Sequence, residues 1–106
     1  MIARRWRGRV RGADFGAYLA YLERSGIEAL RSTPGNAGVA VFRHRDEAND
    51  SVEFEVVSYW RDFEDIRAFA GDDVSVARFF PEDDRYLIER ELSVRHDVVD
   101  LYPADG

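Results

Sequence analysis

Few side chains in this sequence are equipped for chemistry. There are two histidines, no cysteine and no lysine, so all 15 basic residues are arginine. The missing cysteines exclude disulfides, thiolate catalysis and Cys-ligated zinc or iron–sulfur clusters. The missing lysines exclude Schiff-base chemistry and a P-loop lysine. His96 and His44 are the imidazoles available as a base near neutral pH. A satisfied structural role competes with that reading for each, and two histidines without a spaced carboxylate give no metal signature. Ser58, His96 and Asp97 or Asp100 nominally supply a triad, but no G-x-S-x-G elbow surrounds any serine, which excludes a serine hydrolase of that type. The acidic pairs at Asp72-Asp73 and Glu82-Asp83-Asp84 read as helix N-terminal carboxylates rather than a cation site. The loop Asp46 to Asp50 lacks the glycine and bidentate glutamate of an EF-hand. No metal is therefore expected.

The elements that must position these groups follow from periodicity. Residues 2 to 10 alternate, with Ile2, Arg4, Trp6, Gly8 and Val10 on one face and Arg5, Arg7 and Arg9 on the other, a strand pattern. From Asp14 to Ser32 the apolar positions Phe15, Tyr18, Leu19, Leu22, Ile27 and Leu30 follow helical spacing, with Asp14 as N-cap and Gly26 as a point of bending. Pro34-Gly35-Asn36 ends that helix. Val39 to Arg45 and Val52 to Trp60 read as an antiparallel hairpin around a loop of about five residues. Asp62 caps a short helix bearing Phe63, Ile66 and Phe69 and closed by Gly71. Asp72 or Asp73 is expected to cap a further turn or two through Phe79 and Phe80, before Pro81 opens another helical turn. Leu92 to Tyr102 is predicted as the fourth strand.

Strand, helix, strand, strand, helical segment, strand is the α+β, ferredoxin-like split βαβ order, a four-stranded antiparallel sheet with helices on one side. It occupies residues 1–102 as one domain, with 103–106 as a tail. The helix-covered face presents Arg4, Trp6, Ser58 and Trp60 among apolar neighbours, the character of a small-molecule pocket. Tryptophans at strand spacing also suit a plain core. An inward arginine must be ion-paired, hydrogen-bonded or facing a cavity, so Arg4 leaves pocket and buried ion pair both open. A bulge near Gly8 would reverse the phase of Arg4 and Trp6. The other face carries Arg5, Arg7 and Arg9 opposite Glu53 and Glu55, beside Val57 and Tyr59. Cross-strand ion pairs are expected there, and a second copy is the simplest cover for its apolar part, giving a homodimer.

Composition sets the remaining bounds. The chain has 106 residues, 45% hydrophobic and 34% charged, with a net charge of −6. One hydrophobic core fits that length, and a net negative charge disfavours a phosphate backbone as partner, so no nucleic acid is expected. The start MIARRWRGRV has no apolar run behind its charges, and nothing later approaches a membrane span, which implies a cytoplasmic location with no membrane contact.

The segments IARRWRGRV, TPGN, FEVVSYW, IRAFAGDD and FFPEDDRYL, with a last strand containing His96, resemble the antibiotic-biosynthesis monooxygenase family of dimeric α/β barrels, over nearly the whole chain. The resemblance implies a ferredoxin-like homodimer with a pocket between sheet and helices in each subunit. It also implies oxygenation without metal or flavin of a small aromatic or polyketide-like substrate. Such chemistry asks for an apolar chamber, a base, and a donor that holds an enolate oxygen. Trp60 matches the tryptophan those proteins place at the pocket. Arg4 as enolate holder and His96 as base are geometric assignments, and Trp6, Ser58, Phe69 and Phe80 join Trp60 as expected substrate contacts. A haem-degrading relative would need an asparagine on the first strand and a histidine in the second helical region, and this chain has neither. The reading from another class is a non-catalytic dimer that binds a small hydrophobic ligand or a partner protein.

Overall fold

The first strand decides the architecture. In the computed structural model, which describes residues 1–106, β1 (Ile2–Arg11) pairs antiparallel with β3 (Ser51–Trp60) from Ile2 opposite Trp60 to Arg11 opposite Ser51. That ladder has no bulge, so Arg4, Trp6, Gly8 and Val10 share one face with Val52, Phe54, Val56, Ser58 and Trp60. The irregularity near Gly8 lies on the other edge of β1, between Arg9 and Val10 against β4 (Leu87–Arg90), and leaves the phase of Arg4 and Trp6 intact. β2 (Asn36–Asp46) hairpins onto β3, its turn held by Asp46, which accepts from the backbone and side-chain amides of Asn49. β5 (Arg95–Val98) pairs with the N-terminal half of β1. Every pairing is antiparallel and the order is β2-β3-β1-β4, an open α+β sheet compatible with a ferredoxin-like arrangement.

The helices cover the Arg4 face. α1 (Phe15–Arg24) and α2 (Gly26–Ser32) are separated at Ser25, where the backbone leaves helical geometry. Asp14 does not cap α1 with its side chain. The helix is entered through a 3-10 turn, Gly12–Asp14, and the Asp14 carboxylate accepts from Arg11 instead. α3 (Phe63–Ala70) starts as expected, the Asp62 carboxylate accepting from the Glu64 amide. Phe15, Tyr18, Leu22, Leu30, Ile66 and Phe69 from these helices bury Val10, Phe54, Val56 and Trp60 of the sheet. Gly8 belongs to that packing: a Cβ there would lie 2.8 Å from the Phe54 ring, so only glycine lets Phe54 and Trp6 meet edge to face at 5.5 Å.

Two further expectations are corrected. Residues 72–80 form no helix: a single turn, closed by the Val76 amide on the Asp73 carbonyl, is capped by the Asp73 carboxylate on the amide and hydroxyl of Ser75, and the segment then runs irregularly until α4 (Asp83–Tyr86). The fourth strand is not continuous from Leu92 to Tyr102. It begins at Leu87, as β4, and resumes as β5. Between them the chain changes partner, because Leu92 and Val94 hydrogen-bond to Ala77 and Ser75 rather than to β1. Leu101 and Tyr102 lie beyond any strand, Tyr102 90% exposed.

The opposite face has no helix. Arg5 grips Glu55 through Nε at 3.1 Å and Nη2 at 2.8 Å, and Arg9 reaches Glu53, Glu89 and Asp46. The expected cross-strand ion pairing is therefore present. Ala3 and Val57 are already buried within the subunit, whereas Phe42 is 57% exposed. No helix of the structure is long and apolar enough to cross a membrane.

Candidate functional site

Between the Arg4 face of the sheet and the helices lies a cavity of about 60 Å³, partly open to solvent. Its floor is Arg4 and Trp6 from β1 with Val56 and Ser58 from β3, residues that strand alternation turns the same way. Its helical wall is Tyr18, Leu22, Ile27 and Leu30, with Phe69 from α3 at one side. The irregular segment closes the top through Ala77, Arg78 and Phe80. Five of the seven expected residues thus line one chamber: Arg4, Trp6, Ser58, Phe69 and Phe80.

Trp60 and His96 do not line it; each stands one contact behind. The Trp60 side chain is fully buried, packs on Phe69, and its Nε1 donates to Ser58 Oγ at 2.8 Å. His96 sits opposite Arg4 on β5 and accepts from Arg4 Nη1 through Nε2 at 3.1 Å. That acceptor role fixes the tautomer with the proton on Nδ1. Burial first, and then the charge of Arg4, lowers the His96 pKa below the ordinary imidazole value, against an opposing pull from Asp97.

Arg4 resolves the choice between ion pair and cavity. It is 4% exposed and has no carboxylate partner. Its charge is held instead by the carbonyls of Val74 (2.5 Å) and Val76 (3.0 Å), and by His96. Burial lowers its pKa to about 10, so it remains a cation at neutral pH. The same bonds fasten the irregular segment 74–76 to the sheet.

Three polar or charged lining residues were not anticipated. The Tyr18 hydroxyl donates to Asp83 Oδ1 at 3.1 Å, and Asp83 Oδ2 accepts from the Phe80 amide. Burial and the neighbouring carboxylate raise the Tyr18 pKa, so the phenol stays protonated. Arg78 lies against the rings of Phe69 and Phe80, at 4.8 and 4.9 Å. Tyr18 was legible only as a core position, and nothing in the run Glu82-Asp83-Asp84 separates Asp83 from its neighbours. Arg4, Arg78 and Asp83 leave the lining with one net positive charge, in a chain whose net charge is −6.

The cavity is far below the roughly 300–1,000 Å³ of ordinary ligand pockets. About 10–15 Å³ holds one water, so there is room for roughly four to six water-sized groups. A polyketide-like substrate would enter only if segment 72–80 moved. Compared with protein-family models and with curated proteins, the sequence matches none.

Proposed function

We propose that the protein captures a small, partly apolar molecule through an anionic oxygen, in a chamber between the sheet and helices of a ferredoxin-like subunit. The observation that carries this reading is Arg4: a buried guanidinium without a carboxylate, on the floor of an aromatic-lined cavity. A buried cation lacking a counter-ion is costly unless something anionic visits it. Holding is favoured over turnover because both nearby candidate bases are engaged. His96 Nε2 already accepts from Arg4, and both Asp83 oxygens accept from Tyr18 and Phe80. Protonating His96 would set two cations 3.1 Å apart.

The second reading is a cofactor-independent monooxygenase of the antibiotic-biosynthesis type, with Arg4 holding a substrate enolate that meets dioxygen. The apolar enclosure of Trp6, Phe69 and Phe80 around that one cation favours it. In this reading a substrate acidic enough to ionise against Arg4 needs no strong protein base. Native mass spectrometry for a retained small molecule, followed by oxygen-electrode traces with that molecule, separates the two. Binding without oxygen uptake supports capture, oxygen-dependent consumption supports the oxygenase, and absence of both overturns the pocket reading.

The subunit is proposed to work as a homodimer joined through its helix-free face. That face holds an open hollow of about 650 Å³ bordered by Phe42, Val57, Tyr59 and Val99 and flanked by Arg5 and Asp97. Light scattering at micromolar concentration is expected to give twice the 12.2 kDa subunit mass.

A further inference from the structure

The donors on the cavity floor are only partly spent. Arg4 has five N–H groups. Nη1 gives its two to Val74 and His96, and Nη2 gives one to Val76. What remains is the Nε–H and one Nη2–H, groups that share one edge of the fork. Arg5, the next residue, uses that same pair of nitrogens to grip the carboxylate of Glu55. Ser58 stands directly opposite Arg4 on β3, which places their Cβ atoms about 5 Å apart. Its hydroxyl oxygen accepts from Trp60, and its own proton has no acceptor in the protein although the residue is 2% exposed. A buried O–H without an acceptor is costly, so its natural complement is a ligand oxygen.

The geometry points to a carboxylate seat built from the free edge of Arg4 and the Ser58 hydroxyl, taking a short-chain carboxylic acid of roughly four to six heavy atoms. It rests on the proposed capture of an anionic oxygen and specifies which one. Trp60 is a positioning residue: by occupying a lone pair of Ser58 it restricts the hydroxyl rotor and directs the proton away from itself. Asp83 does not compete, since its two oxygens are held by Tyr18 and Phe80 and it forms no ion pair with Arg4. The net positive lining and the absence of a protein carboxylate within reach of Arg4 favour an anion over a neutral guest.

The test is calorimetric titration of the full chain with propionate, propionamide and methanesulfonate, an anion of the same heavy-atom count without a carboxylate. Propionate is expected to saturate one site per subunit and to bind at least about ten-fold more tightly than its isosteric amide, as a charge-assisted bidentate pair requires. Arg4→Lys keeps the charge but loses the fork, and should cost propionate about ten-fold. Ser58→Ala and Trp60→Phe should each narrow the acid-to-amide ratio several-fold, a readout that mere loosening of the fold would not move. Propionate should also shift the NMR signal of the Trp60 indole N–H, which Ser58 links to the seat. Equal binding of acid and amide, or an acid-to-amide ratio unchanged in Arg4→Lys, overturns the carboxylate seat. If methanesulfonate then still binds and Arg4→Lys weakens it, the broader capture of an anionic oxygen stands; if no anion binds, both proposals fall.

Discussion

Arg4 and Arg7 lie three residues apart on the same strand and meet opposite fates. Arg7, with Arg5 and Arg9, points to the helix-free face, where Glu53, Glu55, Glu89 and Glu91 stand within ion-pair range of one or another of them. Arg4 points under the helices and finds carbonyls, an imidazole and the Phe69 ring, but no carboxylate. Alternation puts them on different faces, and the residues of β3 opposite them, Ser58 against Glu55, determine whether the charge is answered. Charges neutralised by their own sheet have no further demand on a partner, whereas the one left unanswered faces a cavity. The face richer in charge is thus the less informative about ligand chemistry.

The largest effect expected from breaking this contrast is on the cavity side. Trp60→Ala removes a fully buried indole that packs on Phe69, and should cost about 3–5 kcal/mol in chemical denaturation. It should also lower ligand affinity, because Ser58 loses the donor that orients it. A loss of stability with affinity intact would make Trp60 plain core. Next comes Arg4→Ala, which leaves the carbonyls of Val74 and Val76 without a donor. At about 0.5–1.5 kcal/mol net for each hydrogen bond lost, a destabilisation of about 1–3 kcal/mol is expected. Hydrogen exchange should localise the added opening to residues 72–80, since Arg4 fastens that segment to the sheet.

How much of this was legible in the sequence depends on what fixed each part. The two faces of β1 and β3 followed from period-two alternation, and the helix ends at Asp62 and Gly71 from capping chemistry, both local rules. The floor of the site, Arg4, Trp6 and Ser58, was therefore readable. Apart from the helical turn after Pro81, the segment from Asp72 to Val94 was not, because long-range bonds organise it. The Ala77 amide donates to the Leu92 carbonyl and the Val94 amide to that of Ser75, Trp6 Nε1 takes the Glu91 carbonyl, and Arg4 takes those of Val74 and Val76. None of these bonds leaves a periodic trace. The apolar alternation of Leu92, Val94, His96 and Val98 is real, yet it spans the point where the chain changes partner, so it overran the strand. Asp83 and Arg78 come from this same stretch, which is why they were missed as lining residues.

A third contrast concerns pH. His96 has its pKa lowered in the folded state by burial and by Arg4, below the 6.5 of a free imidazole. Between the folded and unfolded values the unfolded chain therefore binds more protons, so stability rises with pH through that window and is lost as pH falls from 6.5 through the folded pKa. Denaturation midpoints are expected to fall on acidification, and His96→Gln, which keeps an acceptor for Arg4 but does not titrate there, should flatten that part of the profile. An unchanged profile would mean that His96 titrates alike in the folded and the unfolded chain.

The smallest effect belongs to the ion-paired face. Arg7 Nε lies 3.6 Å from Glu55, 3.8 Å from Glu53 and 4.0 Å from Glu91, and its side chain is 55% exposed. Pairs of that length in water contribute little, so Arg7→Ala should cost less than about 1 kcal/mol. What it does contribute is Coulombic and should vanish near 1 M salt, where the screening length is about 3 Å. The deficit of Arg4→Ala should persist in the same salt, because the partners it abandons are neutral carbonyls. Two arginine variants on one strand thus yield two salt slopes, and equal slopes would break the comparison. A larger Arg7 deficit that grows on dilution would instead mean that the face is buried against a second subunit, where the same ion pairs are shielded from solvent and from salt.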